Sequence, residues 1–272
     1  MGLKSIFGKT LRDRKRTILG WCTGFLIYAF FILSLYPTFS SENEVIINYI
    51  KLFSDMPFLK LFGINSENIL EFTTPEGFLN PEFFYMVAPL LIIILSIALG
   101  SDAIAGEEER KTMDLLLSNP ISRSRIVLEK FLAMTFIIFL VLIFSYIGFL
   151  ISIFLYKINI NVIKILQSEI MLGLLGLSFG SLAFSMGCIT GNRGKSIAIS
   201  SVIAVISYLI NALSNISSLI RRFRFISLFY YYGGDNPLKK GIYFPHLIVI
   251  ISFILILLMI SLLSFEKRDI KI

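Results

Sequence analysis

The chain has 272 residues, 56% of them apolar and 16% charged, with 26 Phe, a mean hydropathy of +0.82 and a formal net charge of +7. Soluble domains average about 45–50% apolar and about 25% charged, and several runs here exceed the ~18 apolar residues that suggest a membrane span. The composition excludes an ordinary soluble globule, and in a membrane protein the positive balance points to topology and anionic lipid rather than to nucleic acid.

Residues 1–16 carry Lys4, Lys9, Arg12, Arg14, Lys15 and Arg16 against Asp13 alone. Leu3, Ile6, Phe7 and Leu11 recur at spacings of three to five, which predicts a helix lying on the inner membrane surface; a disordered basic tail is the alternative. Span one is expected over 17–36. It lacks a small-residue cleavage site before or after it, so it reads as an uncleaved anchor. Residues 37–82 form an expected outer loop with seven acids and two lysines, and its apolar clusters suggest short packed helices. Span two is expected over 83–99, with Pro89 a candidate kink.

Residues 100–130 follow as a charged loop, and the chain is organised around them. The stretch from Gly106 to Asn119 reads as a short amphipathic helix outside the bilayer. Glu107, Glu108, Glu109, Arg110 and Asp114 supply its charge, Met113, Leu115, Leu116 and Leu117 its apolar side, and Thr112 a cap. Asn119-Pro120 ends it, because proline lacks the N–H and restricts the residue before it. Ser122 can start a new helix, with Arg123, Arg125 and Lys130 marking the approach to span three, expected over 131–156.

After a short outer turn comes span four, expected over 170–190, where Gly176-x-x-x-Gly180 is a close-packing pair. It serves packing within the subunit, or subunit contact, or a mobile groove. Span five, expected over 197–213, is the most polar; Ser200, Ser207 and Asn211 either bond neighbouring helices or line a route. Gly194-Lys195-Ser196 before it mimics the end of a phosphate-binding loop, but the glycine that pattern needs is replaced by Ile189 and the segment joins two spans. An outer segment over 215–241 carries Arg221, Arg222, Arg224 and the Tyr230-Tyr231-Tyr232 cluster, and span six is expected over 242–265. Inner segments so assigned hold sixteen Lys/Arg and outer ones nine, which places both termini in the cytoplasm of a plasma-membrane protein. The five basic residues of 215–241 run against that rule.

Thr112, Leu115, Leu116, Pro120, Ser122, Arg123 and Lys130 together resemble the cytoplasmic loop of type-2 ATP-binding-cassette (ABC) exporter permeases, whose usual form has Gly-Thr or Lys-Thr before the leucines and Pro-Val/Ile-Ser-Arg after them. Phe229 to Tyr232 with Pro237 to Gly241 is similar to a second stretch of that family, which in related exporters dips into the membrane from outside. The resemblance implies that the loop is a coupling helix seated in a cleft of a separate ATPase. It also implies a second permease copy or paralogue, and ATP and Mg bound by the partner with no cofactor in this chain. The expectation is an all-α, six-span permease subunit that exports a hydrophobic or amphipathic cargo, a peptide or a lipid.

Nothing in the sequence suggests an enzyme: HExxH, Gly-x-Ser-x-Gly and paired intramembrane aspartates are all missing. No span has an ionisable residue near its middle; Glu169 and His246 fall near ends, which counts against an ion-coupled carrier. A non-transporting scaffold or sensor is the other alternative. Cys22 and Cys188 read as small buried residues, on no metal spacing.

Overall fold

The computed structural model describes residues 5–39, 74–114, 118, 121–233 and 236–268. Among them there is no strand, and six helices are long and apolar enough to cross a membrane: Lys15–Thr38, Pro75–Ala103, Arg123–Tyr156, Val162–Thr190, Arg193–Leu213 and Phe244–Lys267, spans one to six. Each runs past the expected limits at one end or more except span six, which is displaced by two residues. Spans two, three and four gain the most; in spans two and four Pro75–Leu79 and Val162 onward are helical where an outer loop and an outer turn were expected. Thr74 and Asn161 start those extensions by accepting backbone N–H bonds from Gly77 and Ile163. Most of the 37–82 loop lies outside the described residues.

Span four is the axis of the bundle. Its central window is 89% buried, against 22% for spans one and six, and it packs on spans two, three, five and six. Small residues allow this. A Cβ on Gly100 of span two would collide with the Gly180 carbonyl of span four, and one on Gly176 would sit 2.9 Å from Ser96 Oγ. The Gly176/Gly180 face is therefore turned to span two of the same chain. Without a hydrophobic drive between helices in lipid, such close backbone approach is what holds them together. Span one packs on span three in the same manner, with Gly148 against the Leu26 carbonyl and Ser152 Oγ donating to Phe30 O at 2.8 Å. Residues such as Ile27, Phe31, Ile248, Leu255 and Met259 are exposed on the outer faces of spans one and six, where acyl chains are the expected solvent.

Span two is not a plain α-helix. Asn80–Val87 winds as a π-helix, in which the Ala88 N–H reaches back five residues to Phe83 O. One step on, the same register would have residue 89 donate to Phe84 O, but Pro89 has no N–H to give. The Tyr232 hydroxyl fills the gap, donating to Phe84 O at 2.6 Å from a side chain 6% exposed. The 215–241 segment is thus fixed by a demand that span two makes. It runs as short helical pieces, Ser218–Arg221, Arg224–Ile226, Leu228–Gly233 and Pro237–Lys240, too short to cross a bilayer.

Glu169 lies about two turns inside span four. It is 3% exposed and accepts from Ser145 Oγ at 2.7 Å, so this carboxyl group, nearer the start of its span than the middle, is nonetheless buried in the bundle. His246 is ringed by Tyr230, Tyr231 and Tyr243 at centroid distances of 5.0, 5.3 and 4.9 Å. No group of residues able to hold a metal ion occurs among the described residues, and both cysteines are free and buried.

Candidate functional site

Span two ends at Ala103, Ile104 breaks the helix, and one short turn, Ala105–Glu109, follows. Lys111 closes that turn in the left-handed conformation at φ 56°. Thr112 N–H then donates to Glu107 O and Lys111 N–H to Glu108 O, both at 2.9 Å, the paired bonds of a Schellman cap. The sequence calls for Thr112 as the N-cap of the next turn. Its hydroxyl donates backward to the Glu107 carboxylate at 2.5 Å, and the N–H groups that such a cap would accept from reach into residues outside the described ones. The helix expected as one piece from Gly106 is therefore divided at Lys111. Of its second part, Met113 is 2% exposed, Asp114 is exposed, and Ser118 N–H donates to Asp114 O at 2.9 Å. Leu115, Leu116, Leu117 and Pro120 lie outside the described residues.

The three consecutive glutamates point to three different spans. Glu107, 8% exposed, takes the Lys130 ammonium of span three at 2.5 Å. Glu108 pairs with Arg268, just past span six, and Arg268 also donates to Gly187 O and Cys188 O of span four at 3.1 and 2.6 Å. Glu109 accepts the Arg193 N–H, the first of span five, at 2.9 Å. One turn earlier, Asp102 pairs with Arg14 beside span one, with Arg110 at 2.8 Å and with Arg193 at 3.4 Å. All six spans meet in this node.

Two further clamps frame it. Arg123 donates to Phe265 O, Glu266 O and Arg268 O at 3.3, 3.3 and 2.8 Å, capping the carbonyl end of span six. Glu129 accepts from the N–H groups of Ile6 and Phe7 at 2.6 and 3.0 Å, holding the free start of the N-terminal helix Ile6–Asp13 against span three.

Burial pushes the Glu107 carboxyl up, but the Lys130 charge and the Lys130 and Thr112 hydrogen bonds outweigh it and hold the group below its ordinary value. The Asp102 hydrogen bond raises the Arg110 guanidinium, which is charged in any case. Around this interior the segment keeps a polar outer face: Glu109, Arg110, Lys111, Asp114 and Ser118 are exposed. Sequence reasoning missed Asp102, Arg14, Arg193, Arg268 and Glu129 as members of the node. The available signal was charge at each span end, which looks the same whether the group is solvated or paired.

The span-five residues also find places. Ser207 Oγ accepts the Leu228 N–H at 3.0 Å and contacts Ser227 Oγ at 3.1 Å, and Asn211 Oδ1 accepts from Arg224 Nε at 3.2 Å. Both therefore bond the 215–241 segment. Ser200 is buried, and its hydroxyl has no partner among the described residues. Between spans two and five lies an apolar groove of about 550 Å³, lined by Met86, Leu90, Ile94, Ile197 and Tyr208 among others. The Gly194-Lys195-Ser196 stretch opens span five, with Asn192 Oδ1 accepting the Lys195 N–H at 2.8 Å, so it is a helix cap rather than a strand-to-helix loop.

The family model described as ABC-2 family transporter protein matches residues 4–270 of the chain. No curated protein sequence matches it.

Proposed function

The chain belongs to the ABC-2 family of transporter proteins and is a multi-pass permease subunit, and we propose that it works as the membrane half of an exporter driven by a separate ATPase. The observation that carries this reading is the node. A partner pressing on the 104–122 segment would press on every span at once, through Lys130, Arg193, Arg268 and Arg14. A rigid-body shift of packed helices needs such a shared handle. ATP and Mg would bind on the ATPase, and a second copy or a paralogue would complete the pathway. The apolar groove beside Tyr208 supports a hydrophobic or amphipathic cargo, a peptide or a lipid, carried outward. The charge asymmetry supports placing the node and both termini in the cytoplasm, at the plasma membrane.

In this reading the docking surface is divided. Glu109, Arg110, Lys111 and Asp114 form an exposed rim that governs encounter and register, and the leucines at 115–117 supply anchors. Leu116→Asp should release the ATPase in pull-down from detergent while the permease stays folded. Glu109→Gln should retain it with altered salt dependence. A folded Leu116→Asp subunit that still holds a fully stimulated ATPase would remove the docking assignment.

A further inference from the structure

A cavity of about 380 Å³ opens between the N-terminal helix, the end of span two, the Ala105–Glu109 turn and span three. Its walls change character with depth. Lys9, Arg14 and Arg110 stand with Asp13 toward the N-terminal helix and the turn, and Leu99, Met134 and Ile137 belong to the apolar stretches of spans two and three. Charge and hydrocarbon thus meet in one hollow at the end of the bundle, where headgroups would lie.

The charges inside it do not all cancel. Asp102 is taken by Arg14 and Arg110, and Glu107 by Lys130. Lys9 has neither an ion pair nor a side-chain hydrogen bond among the described residues, although it lines the same hollow as Lys130. Arg110 binds Asp102 through its two terminal nitrogens and leaves a side chain 49% exposed. The hollow therefore offers one unpaired ammonium near the Asp13 carboxylate, the open side of a guanidinium, and an apolar wall of the nearly buried Leu99, Met134 and Ile137, with cations one in excess of acids. A phosphodiester bearing one negative charge, with acyl chains attached, has the matching chemistry. Free phosphate would leave the wall unused, and a choline headgroup would bring a cation to a cationic mouth.

We propose that this cavity binds an anionic phospholipid, its phosphate held by Lys9 and Arg110 and its first acyl segment against Leu99, Met134 and Ile137. The assignment stands apart from the transport reading, since it requires neither an ATPase nor a cargo. Lipid there would touch the N-terminal helix, span two and span three together, and so stiffen the contact between the first helix and the node.

The test uses the full chain, purified in detergent and titrated with phosphatidylglycerol, phosphatidylcholine or inorganic phosphate, with bound adducts counted by native mass spectrometry. The wild type should hold one phosphatidylglycerol in preference to phosphatidylcholine, and inorganic phosphate should not displace it. Lys9→Gln should weaken that site about fivefold, the worth of one basic residue facing anionic lipid, and Lys9→Arg should restore it. Lys9 makes no side-chain bond among the described residues, so Lys9→Gln tests the site without dismantling it. Equal retention of the two lipids, displacement by phosphate, or unchanged binding in Lys9→Gln would each overturn the proposal. ATPase pull-down with Lys9→Gln, run in parallel, reports on the docking reading separately.

Discussion

At the scale of single residues, Lys111 and Tyr232 show how a local backbone demand selects a side chain. A left-handed residue other than glycine or asparagine is strained by roughly 1–2 kcal/mol. Lys111 occupies that position at φ 56°. Lys111→Gly should raise thermal stability by up to ~1 kcal/mol, and Lys111→Val should lower it, read by unfolding in detergent. Tyr232→Phe leaves the Phe84 carbonyl without a donor, and removing one partner of a buried hydrogen bond costs about 1–3 kcal/mol. In a Pro89→Ala background the new N–H can reach that carbonyl, so the same substitution should cost measurably less; equal costs would break the link. Glu107 gives a pH signature. Its folded value lies below the ordinary 4.5, so its contribution is fully present above that value and is lost as pH falls through the lowered one. Glu107→Gln should lower stability at neutral pH and flatten its decline on acidification, because that group no longer takes up a proton. None of these pairings was legible from sequence: Tyr232 is 148 positions from Phe84, and Arg268 is 160 from Glu108.

At the scale of elements, the spans were legible because hydrocarbon length and apolar composition specify them almost alone. Their ends were not. Thr74 and Asn161 start helices ahead of the apolar runs, and a hydropathy reading has no view of a cap. The glycines of span four were recognised as packing sites, but their partner, Gly100 of span two, follows from the crossing of two helices and not from spacing. Gly100→Leu should therefore abolish a stable monomeric fold, whereas Gly24→Leu, whose Cβ position has open space, should be tolerated; size-exclusion profiles in detergent compare them. The proposed orientation is checked by cysteines introduced at Ser118 and Lys157 in a background lacking Cys22 and Cys188. Impermeant reagent should reach position 157 from outside intact cells and position 118 only after lysis.

At the scale of the whole molecule, the charged loop between spans two and three stood out by motif while its fastening did not. Glu107, Glu108 and Glu109 are expected from sequence to supply the charge of a coupling helix, and the structure sends them to spans three, six and five. A run of like charge can be divided in this way because successive side chains on a helical turn point about 100° apart. The acids therefore serve the interior of the node, and the exposed charge falls to Arg110, Lys111 and Asp114 with part of Glu109.

The node also imposes an order on synthesis. Its members are drawn from Arg14 to Arg268, nearly the full length of the chain, and the last of them follows span six. While the ribosome is still delivering that span, Glu108 lacks its cation and the Gly187 and Cys188 carbonyls lack their donor. The handle can close only after Arg268 has been delivered. A chain stopped after Phe265 should keep its earlier spans in the membrane yet lose the 104–122 segment to protease faster than the full chain does. An unfinished permease would in this way be unable to present a finished surface to an ATPase.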